Sequence, residues 1–228
     1  MSSGYYREKL AAENLKKCYE IASSRVKQYF STEISYVLGK IGPNDKVLDL
    51  GCGFGRVMPD LAKKAAKVVG IDHSYASLIM AKEIIRGIPN CFLVGADAVQ
   101  LCFKPKTFDV VICIQNGISA FHVDQEELIK ESLRVTKYGG IVLFSSYSDK
   151  FWNHRLEWFY MQADAGLLGE IDEKKTGNGV IVCKDGFTAT TVSPSQFLSL
   201  TSRLGVKASI DEVDESSVFC KVDGVPAL

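Results

Sequence analysis

The chain has 228 residues, 46% of them hydrophobic and 24% charged, which fits a single globular domain with a full core. Its 27 basic and 27 acidic residues cancel, and no stretch concentrates positive charge, so DNA is not an expected partner. No run reaches the roughly 18 apolar residues that span a bilayer, Met1 to Lys17 lack an apolar signal core, and the seven cysteines make no Cys-x-x-Cys pair, so the expectation is a reduced, cytoplasmic protein with no membrane partner and no metal centre.

Two helical patterns come first. Residues 9–23 and 24–38 carry apolar side chains three and four apart (Leu10, Leu15, Cys18, Tyr19; Val26, Tyr29, Phe30, Ile34, Val37, Leu38). Gly39, Gly42 and Pro43 stop them. Strand and helix patterns then alternate from 46 to 147. Strands are predicted at Lys46–Leu50, Val68–Asp72, Cys91–Val94, Phe108–Ile114 and Ile141–Ser146, with helices near 56–67, 74–87 and 124–137. This order predicts an α/β fold with a doubly wound, mainly parallel sheet. Cys91 and Cys113 fall in strand runs and read as small buried hydrophobes.

Beyond residue 148 the rhythm breaks. Residues 149–166 form a helical pattern rich in aromatics: Phe151, Trp152, Trp158, Phe159 and Tyr160. Short strands at 180–184 and 187–192 flank Asp185-Gly186, a hairpin turn signal. Ser193-Pro194 opens a helix to about Leu204. Residues 207–213 and 218–222 read as final strands, an antiparallel pair that closes one edge of the sheet.

The most informative stretch is Val47-Leu48-Asp49-Leu50-Gly51-Cys52-Gly53-Phe54-Gly55-Arg56. A buried strand ends in an acid, and glycine then occupies every second position before a helix begins. Glycines let the backbone turn sharply and bring its N–H groups against a ligand. Open α/β sheets hold nucleotide-like ligands at such a junction. A dinucleotide fingerprint would place its last glycine where Arg56 stands, which speaks against a pyrophosphate under the helix.

The pattern Asp-x-Gly-x-Gly-x-Gly, Asp49 to Gly55, resembles the first motif of class I S-adenosylmethionine-dependent methyltransferases. The resemblance extends over roughly residues 45 to 146 and includes Tyr138-Gly139-Gly140 before the fifth strand. It implies a seven-stranded Rossmann-like sheet and S-adenosylmethionine as cofactor. The chain then divides into a helical lid (1–40), a cofactor-binding core (45–147), a substrate-side insertion (148–192) and a sheet edge (193–228). Asp72 ends the second strand, where a carboxylate can accept from both ribose hydroxyls; the alternative is a helix N-cap. His73 lies along the adenosine or in a surface turn. The resemblance implies that Asp97 accepts from the adenine amino group and that the Ala98 N–H reaches a ring nitrogen, against a plain Asp turn. It also implies that Asp49 positions the methionine end. With Gly51, Cys52, Gly53, Gly55 and the Ile114-Gln115 backbone, these residues form the expected cofactor set.

The cofactor carries its own reactive methyl, so the protein must mainly align an acceptor and exclude water. The acceptor is expected beyond the fourth strand, at Ile114-Gln115-Asn116-Gly117. The branch of the family that methylates nucleic-acid amines has Asn/Asp-Pro-Pro-Tyr/Phe there, and this chain does not. Asn116 orients an amine or carboxylate, or satisfies its own turn. His122 is the general-base candidate, against a solvated helix start. Tyr147, Trp152 and Arg155 are substrate candidates, as aromatic walls and as a carboxylate partner, against a packed aromatic stripe with a surface ion pair. Tyr5, Tyr6, Tyr19, Arg25 and Tyr29 are lid candidates. A thiolate cluster of Cys18, Cys183 and Cys220 capturing a soft metalloid is a minor alternative. The expected function is methyl transfer to a small-molecule acceptor. Methylation of a protein or RNA, and a non-catalytic cofactor-binding partner or sensor subunit, are the alternatives. Nothing in the sequence specifies the acceptor or the oligomeric state.

Overall fold

The computed structural model describes Tyr5 and residues 9–223. Two helices come first, α1 (Ala12–Glu20) and α2 (Ser24–Leu38), and Ser23 caps the second by accepting the Val26 N–H. The alternating region contains β1 (Lys46–Leu50), α3 (Met58–Ala62), β2 (Lys67–Asp72), α4 (Tyr75–Ile84), β3 (Cys91–Gly95), β4 (Phe108–Cys113), α5 (Gly117–Ala120), α6 (Gln125–Val135) and β5 (Thr136–Tyr147). The insertion follows, as a 3₁₀ turn (Asp149–Phe151), α7 (Trp152–Asp164) and a hairpin of β6 (Ile181–Val182) and β7 (Thr188–Ala189). The chain closes with α8 (Pro194–Arg203), β8 (Ser209–Val213) and β9 (Ser217–Asp223). A full capping box at Ser193 and Gln196, with Pro194 in the first turn, fixes the start of α8.

The seven-stranded sheet has the order β3-β2-β1-β4-β5-β9-β8. The first five strands are parallel, β9 runs antiparallel to β5, and β8 runs antiparallel to β9. Successive residues of β1 face opposite layers, as the strand period demands. Leu48 and Leu50 pack in the layer that includes Leu128 and Leu133 of α6 and Phe197 of α8. Val47 packs in the layer with Val37, Met58 and Leu61. A third cluster joins Tyr29 and Phe30 of α2 to Tyr147, Phe151, Trp158, Phe159 and Phe187. Trp158 locks this cluster to the N-terminal helices, because its indole Nε1 donates to the Cys18 carbonyl at 2.8 Å.

Two elements differ from the expected bounds. The helix expected at 56–67 spans only Met58–Ala62, because the N–H groups of Ala66 and Lys67 turn to the Asp45 carbonyl and start β2. Strand β5 begins at Thr136, before the apolar run. Thr136 pairs with Phe108, the register then shifts, and pairing resumes at Ile141. Gly139 takes φ +75°, and a Cβ on Gly140 would meet the Asp109 carbonyl at 2.7 Å, so this irregularity needs both glycines.

The cysteines are unpaired, with only Cys102 exposed. Cys91 and Cys113 are buried in apolar clusters, as expected. Cys18 and Cys183 lie in the aromatic cluster and Cys220 in the sheet layer beside α6 and α8, so the three do not converge on a metalloid. Burial pushes the Cys18 and Cys220 thiols up to about 12 and Cys183 to about 11. Among the described residues no helix is long and apolar enough to cross a membrane.

Candidate cofactor and acceptor site

The carboxyl ends of β1, β2 and β4 and the turn after β3 open on one cleft of about 580 Å³. Gly51, Gly53, Asp72, His73, Asp97, Ala98, Ile114 and Gln115 line it together. An adjoining cavity of about 50 Å³ is lined by Asp49, Cys52 and Arg56, along with Gly51, Gly53 and Gln115. Gly55 lines neither. It adopts φ +83°, and a Cβ there would press on Ala81 of α4 at 3.1 Å, so this glycine lets the loop pack against a helix. Gly51 (φ +73°) lies so close to Phe121 that a Cβ would fall 2.5 Å from the ring.

Asp72 is held by its own surroundings. Its carboxylate accepts the Gly53 N–H at 2.9 Å and the Ser74 N–H at 2.7 Å. Ser74, not Asp72, caps α4, by accepting the Ser77 N–H. The carboxylate therefore braces the glycine loop while lining the cleft, with lone pairs remaining for a ligand. Asp97 accepts the Val99 N–H at 3.0 Å in a tight turn, and it too lines the cleft.

Asp49 is buried at 2% exposure, and its Oδ2 has no hydrogen-bond partner among the described residues. Desolvation pushes its carboxyl up to about 7, against the pull of the Arg56 charge. The Arg56 guanidinium lies 4.7 Å from the Tyr19 ring centre and 5.2 Å from that of Phe30. Arg56 thereby clamps both N-terminal helices onto the glycine loop.

At the end of β4, Gln115 and Asn116 both take left-handed backbone conformations, with φ +57° and +59°. Two consecutive non-glycine residues there are strained, and the surroundings must hold them. Glu33 of α2 does so on one side, taking the Gln115 backbone N–H at 3.1 Å and its side-chain amide. Asn116 is held on the other side. Its Nδ2 donates to the Thr190 carbonyl at 2.9 Å and its Oδ1 accepts from Ser146 Oγ at 2.8 Å. Both ends of the amide are engaged with distant segments, so Asn116 fixes the elbow and satisfies Thr190 and Ser146 rather than its own turn.

The other acceptor-side candidates do not line the cleft. Phe121 and Val123 line it, whereas His122 between them does not; His122 takes φ +52°, and burial lowers its pKa. Tyr147 packs against Tyr29 and Phe151. Arg155 is buried, with its guanidinium 4.6 Å from the Tyr147 ring centre and 5.9 Å from that of Trp152, and it donates to the Gly179, Ala189 and Thr190 carbonyls. Tyr147, Trp152 and Arg155 thus hold the insertion together, and the hairpin carbonyls take the place of the expected surface ion pair.

Of the described lid candidates, only Tyr19 lines the cleft. Leu10, Leu15 and Tyr19 line the cleft from the N-terminal side. Tyr5 and Lys9 reach Asp185 at the hairpin turn, at 2.7 and 3.2 Å. At the other end the Ala12 N–H donates to Ser77 Oγ of α4 at 3.1 Å. Tyr5 and residues 9–12 are thus tied on both sides of the cleft, as a strap. Arg25 binds Asp214, and Tyr29 donates to Glu33; Tyr6 lies outside the described residues. Sequence reasoning missed Glu33 and Arg56. The available signal for Glu33 was an acid on the stripe of Tyr29, Phe30 and Val37, all of which are buried.

Residues 47–140 match the family model of a methyltransferase domain. Over 134 residues the chain is 28% identical to a ubiquinone biosynthesis O-methyltransferase from Proteus mirabilis, covering 58% of this chain and 52% of that protein. Over 110 residues it is 36% identical to a demethylmenaquinone methyltransferase from Streptomyces griseus, covering 48% and 46%. The chain spans about half the length of the curated relatives it matches. The PH0226 protein from Pyrococcus horikoshii shares the fold with a TM-score of 0.67 at 22% identity, over 96% of this chain and 98% of that one. The DhpI–SAH complex does so with a TM-score of 0.67 at 18% identity, over 99% and 96%. With the strand order and the glycine loop, these matches show a methyltransferase domain over residues 47–140, set in a sheet with the fold of the class I S-adenosylmethionine-dependent methyltransferases. The residues present fit S-adenosylmethionine, the cofactor of that fold: a glycine cradle closed to any Cβ at Gly51, two strand-end acids, and a buried carboxylate oxygen with no partner among the described residues.

Proposed function

We propose that the protein transfers the methyl group of S-adenosylmethionine to a small-molecule acceptor enclosed beneath the N-terminal strap. The observation that carries this reading is the strap itself, tied to Asp185 at one end and Ser77 at the other. A cleft roofed in this way suits a compact ligand better than a macromolecular surface. The relatives named for ubiquinone biosynthesis and demethylmenaquinone point the same way. Leu10, Ala120, Phe121 and Val123 give the cleft an apolar wall, which favours an acceptor with an apolar body. The unpaired cysteines favour a cytoplasmic setting.

In this reading Asp72 accepts from the ribose hydroxyls, with His73 alongside the adenosine, and Asp97 and Ala98 read the adenine edge. Asp49 and the loop of Gly51, Cys52 and Gly53 receive the methionine end. Ile114 and Gln115 border the transferred group. The bound cofactor supplies an electrophilic methyl on sulfur. The chain contributes alignment through the rigid Gln115–Asn116 elbow and exclusion of water through the strap. Incubation of the full chain with methyl-labelled cofactor and fractionated cell extract tests the reading. Label in small metabolites is expected. Label in protein or RNA would move the acceptor to a macromolecule, and binding without turnover would leave a sensor or partner subunit.

A further inference from the structure

Glu33 lies on α2, outside the 47–140 match, and its side chain is fully buried. Its Oε1 accepts from Ser145 Oγ at 2.5 Å, from the Gln115 N–H at 3.1 Å and from the Tyr29 hydroxyl at 3.4 Å. Its Oε2 meets the Gln115 side-chain amide. Gln115 in turn lines both the cleft and the smaller cavity, so one residue separates this carboxylate from the ligand space. Asp49 lines the same small cavity, and its buried Oδ2 has no hydrogen-bond partner among the described residues. Arg56 lines it as well and acts electrostatically on both acids. The other titratable groups that interact electrostatically with this set are Tyr19 from α1, Tyr29 from α2, Cys52 from the glycine loop, Asp72 from β2, Cys113 from β4 and Tyr147 from β5.

The charges do not cancel. Two carboxylates against one guanidinium leave a single buried negative charge when both acids are ionised. The ammonium, carboxylate and sulfonium of S-adenosylmethionine sum to a single positive charge. S-adenosylhomocysteine, left after transfer, has a thioether in place of the sulfonium and sums to zero. A fixed charge acts on its neighbour far more strongly in a buried cavity than in water.

We propose that Glu33 and Asp49, set around Arg56, form a charge frame that favours the sulfonium form of the cofactor over its thioether product. Glu33 is a positioning residue here, acting through Gln115 and through its field. The frame binds the incoming cofactor while ionised and loses one favourable interaction once the methyl has left, which eases product release. The inference rests on the cofactor alone and is independent of the acceptor.

The variant Glu33→Gln keeps the shape and the acceptor oxygen for Ser145 and the Gln115 N–H, while the Gln115 amide can turn over to face the new donor. Calorimetry on the full chain is expected to show about tenfold weaker binding of S-adenosylmethionine and less than about threefold change for S-adenosylhomocysteine. An equal loss for both ligands would reduce Glu33 to a structural support and overturn the proposal, as would no loss for either. A second measurement needs only the wild-type chain. Titration near pH 7 in two buffers of different ionisation enthalpy is expected to show more proton release with S-adenosylmethionine than with S-adenosylhomocysteine. Equal proton counts would overturn the charge frame even if the variant did not fold.

Discussion

Ser146 joins Asn116 to the chain leaving the hairpin. Its Oγ donates to Asn116 Oδ1 at 2.8 Å and accepts the Val192 N–H at 2.9 Å. One hydroxyl thus ties the ends of β4 and β5 to the insertion. Ser146→Ala strands two buried polar partners and is expected to lower stability by about 1–3 kcal/mol. Urea denaturation measures this, and a change within experimental error would mean the network is dispensable.

Asp72 does double service, bracing Gly53 and facing the cleft. Asp72→Ala is expected to weaken cofactor binding by about 1.5–3 kcal/mol, or roughly one to two decades in affinity. Calorimetry on the folded variant checks it. Unchanged affinity would mean that the ribose lies elsewhere.

Asp49 makes the ligand-free protein sensitive to pH. Burial raises its folded carboxyl from 3.8 to about 7, so the folded chain keeps a proton that the unfolded chain has released across that window. Stability is expected to fall as pH rises from about 4 to about 7 and to level off above, by an amount on the order of 4 kcal/mol. Asp49→Asn should remove this part of the slope and raise the Tm of the ligand-free chain at pH 8. A thermal-melt series from pH 5 to pH 9 reads both, and an identical slope in the variant would assign the effect to another group.

Asp185 tests the strap. Asp185→Ala cuts the tethers from Tyr5 and Lys9, which lie at the surface. Such exposed contacts contribute little to stability, about 1 kcal/mol or less. Cofactor dissociation is expected to speed up severalfold in stopped-flow measurements while the melt is nearly unchanged. An unaltered rate would show that the strap does not gate the cleft.

The cofactor side of the site was legible because the backbone dictates its residues. Gly51, Gly53 and Gly55 all take positive φ, a requirement that leaves its mark in residue identity. Asp72 and Asp97 were legible because strand ends are easily placed. The acceptor side was not, because its side chains are defined by contacts between distant segments. Arg155 is held by carbonyls 24 to 35 residues away, in a hairpin whose docking no local pattern encodes. The left-handed backbone of Asn116 suits a turn, but its side chain serves Ser146 and Thr190, partners no local pattern announces. Glu33 was hidden by its own helix, where one acid in an apolar stripe looks like an exception to the period rather than its purpose. The start of β5 was hidden by the register shift, since the apolar run begins only after it.

The bond from Trp158 to the Cys18 carbonyl carries a practical consequence. A fragment trimmed to residues 47–140 would discard α1, α2 and α7 together with most of β5 and leave the open edge of β4 bare to water. Such a minimal piece should clump rather than bind ligand, so the smallest workable unit of this protein reaches from its first helix to its last strand.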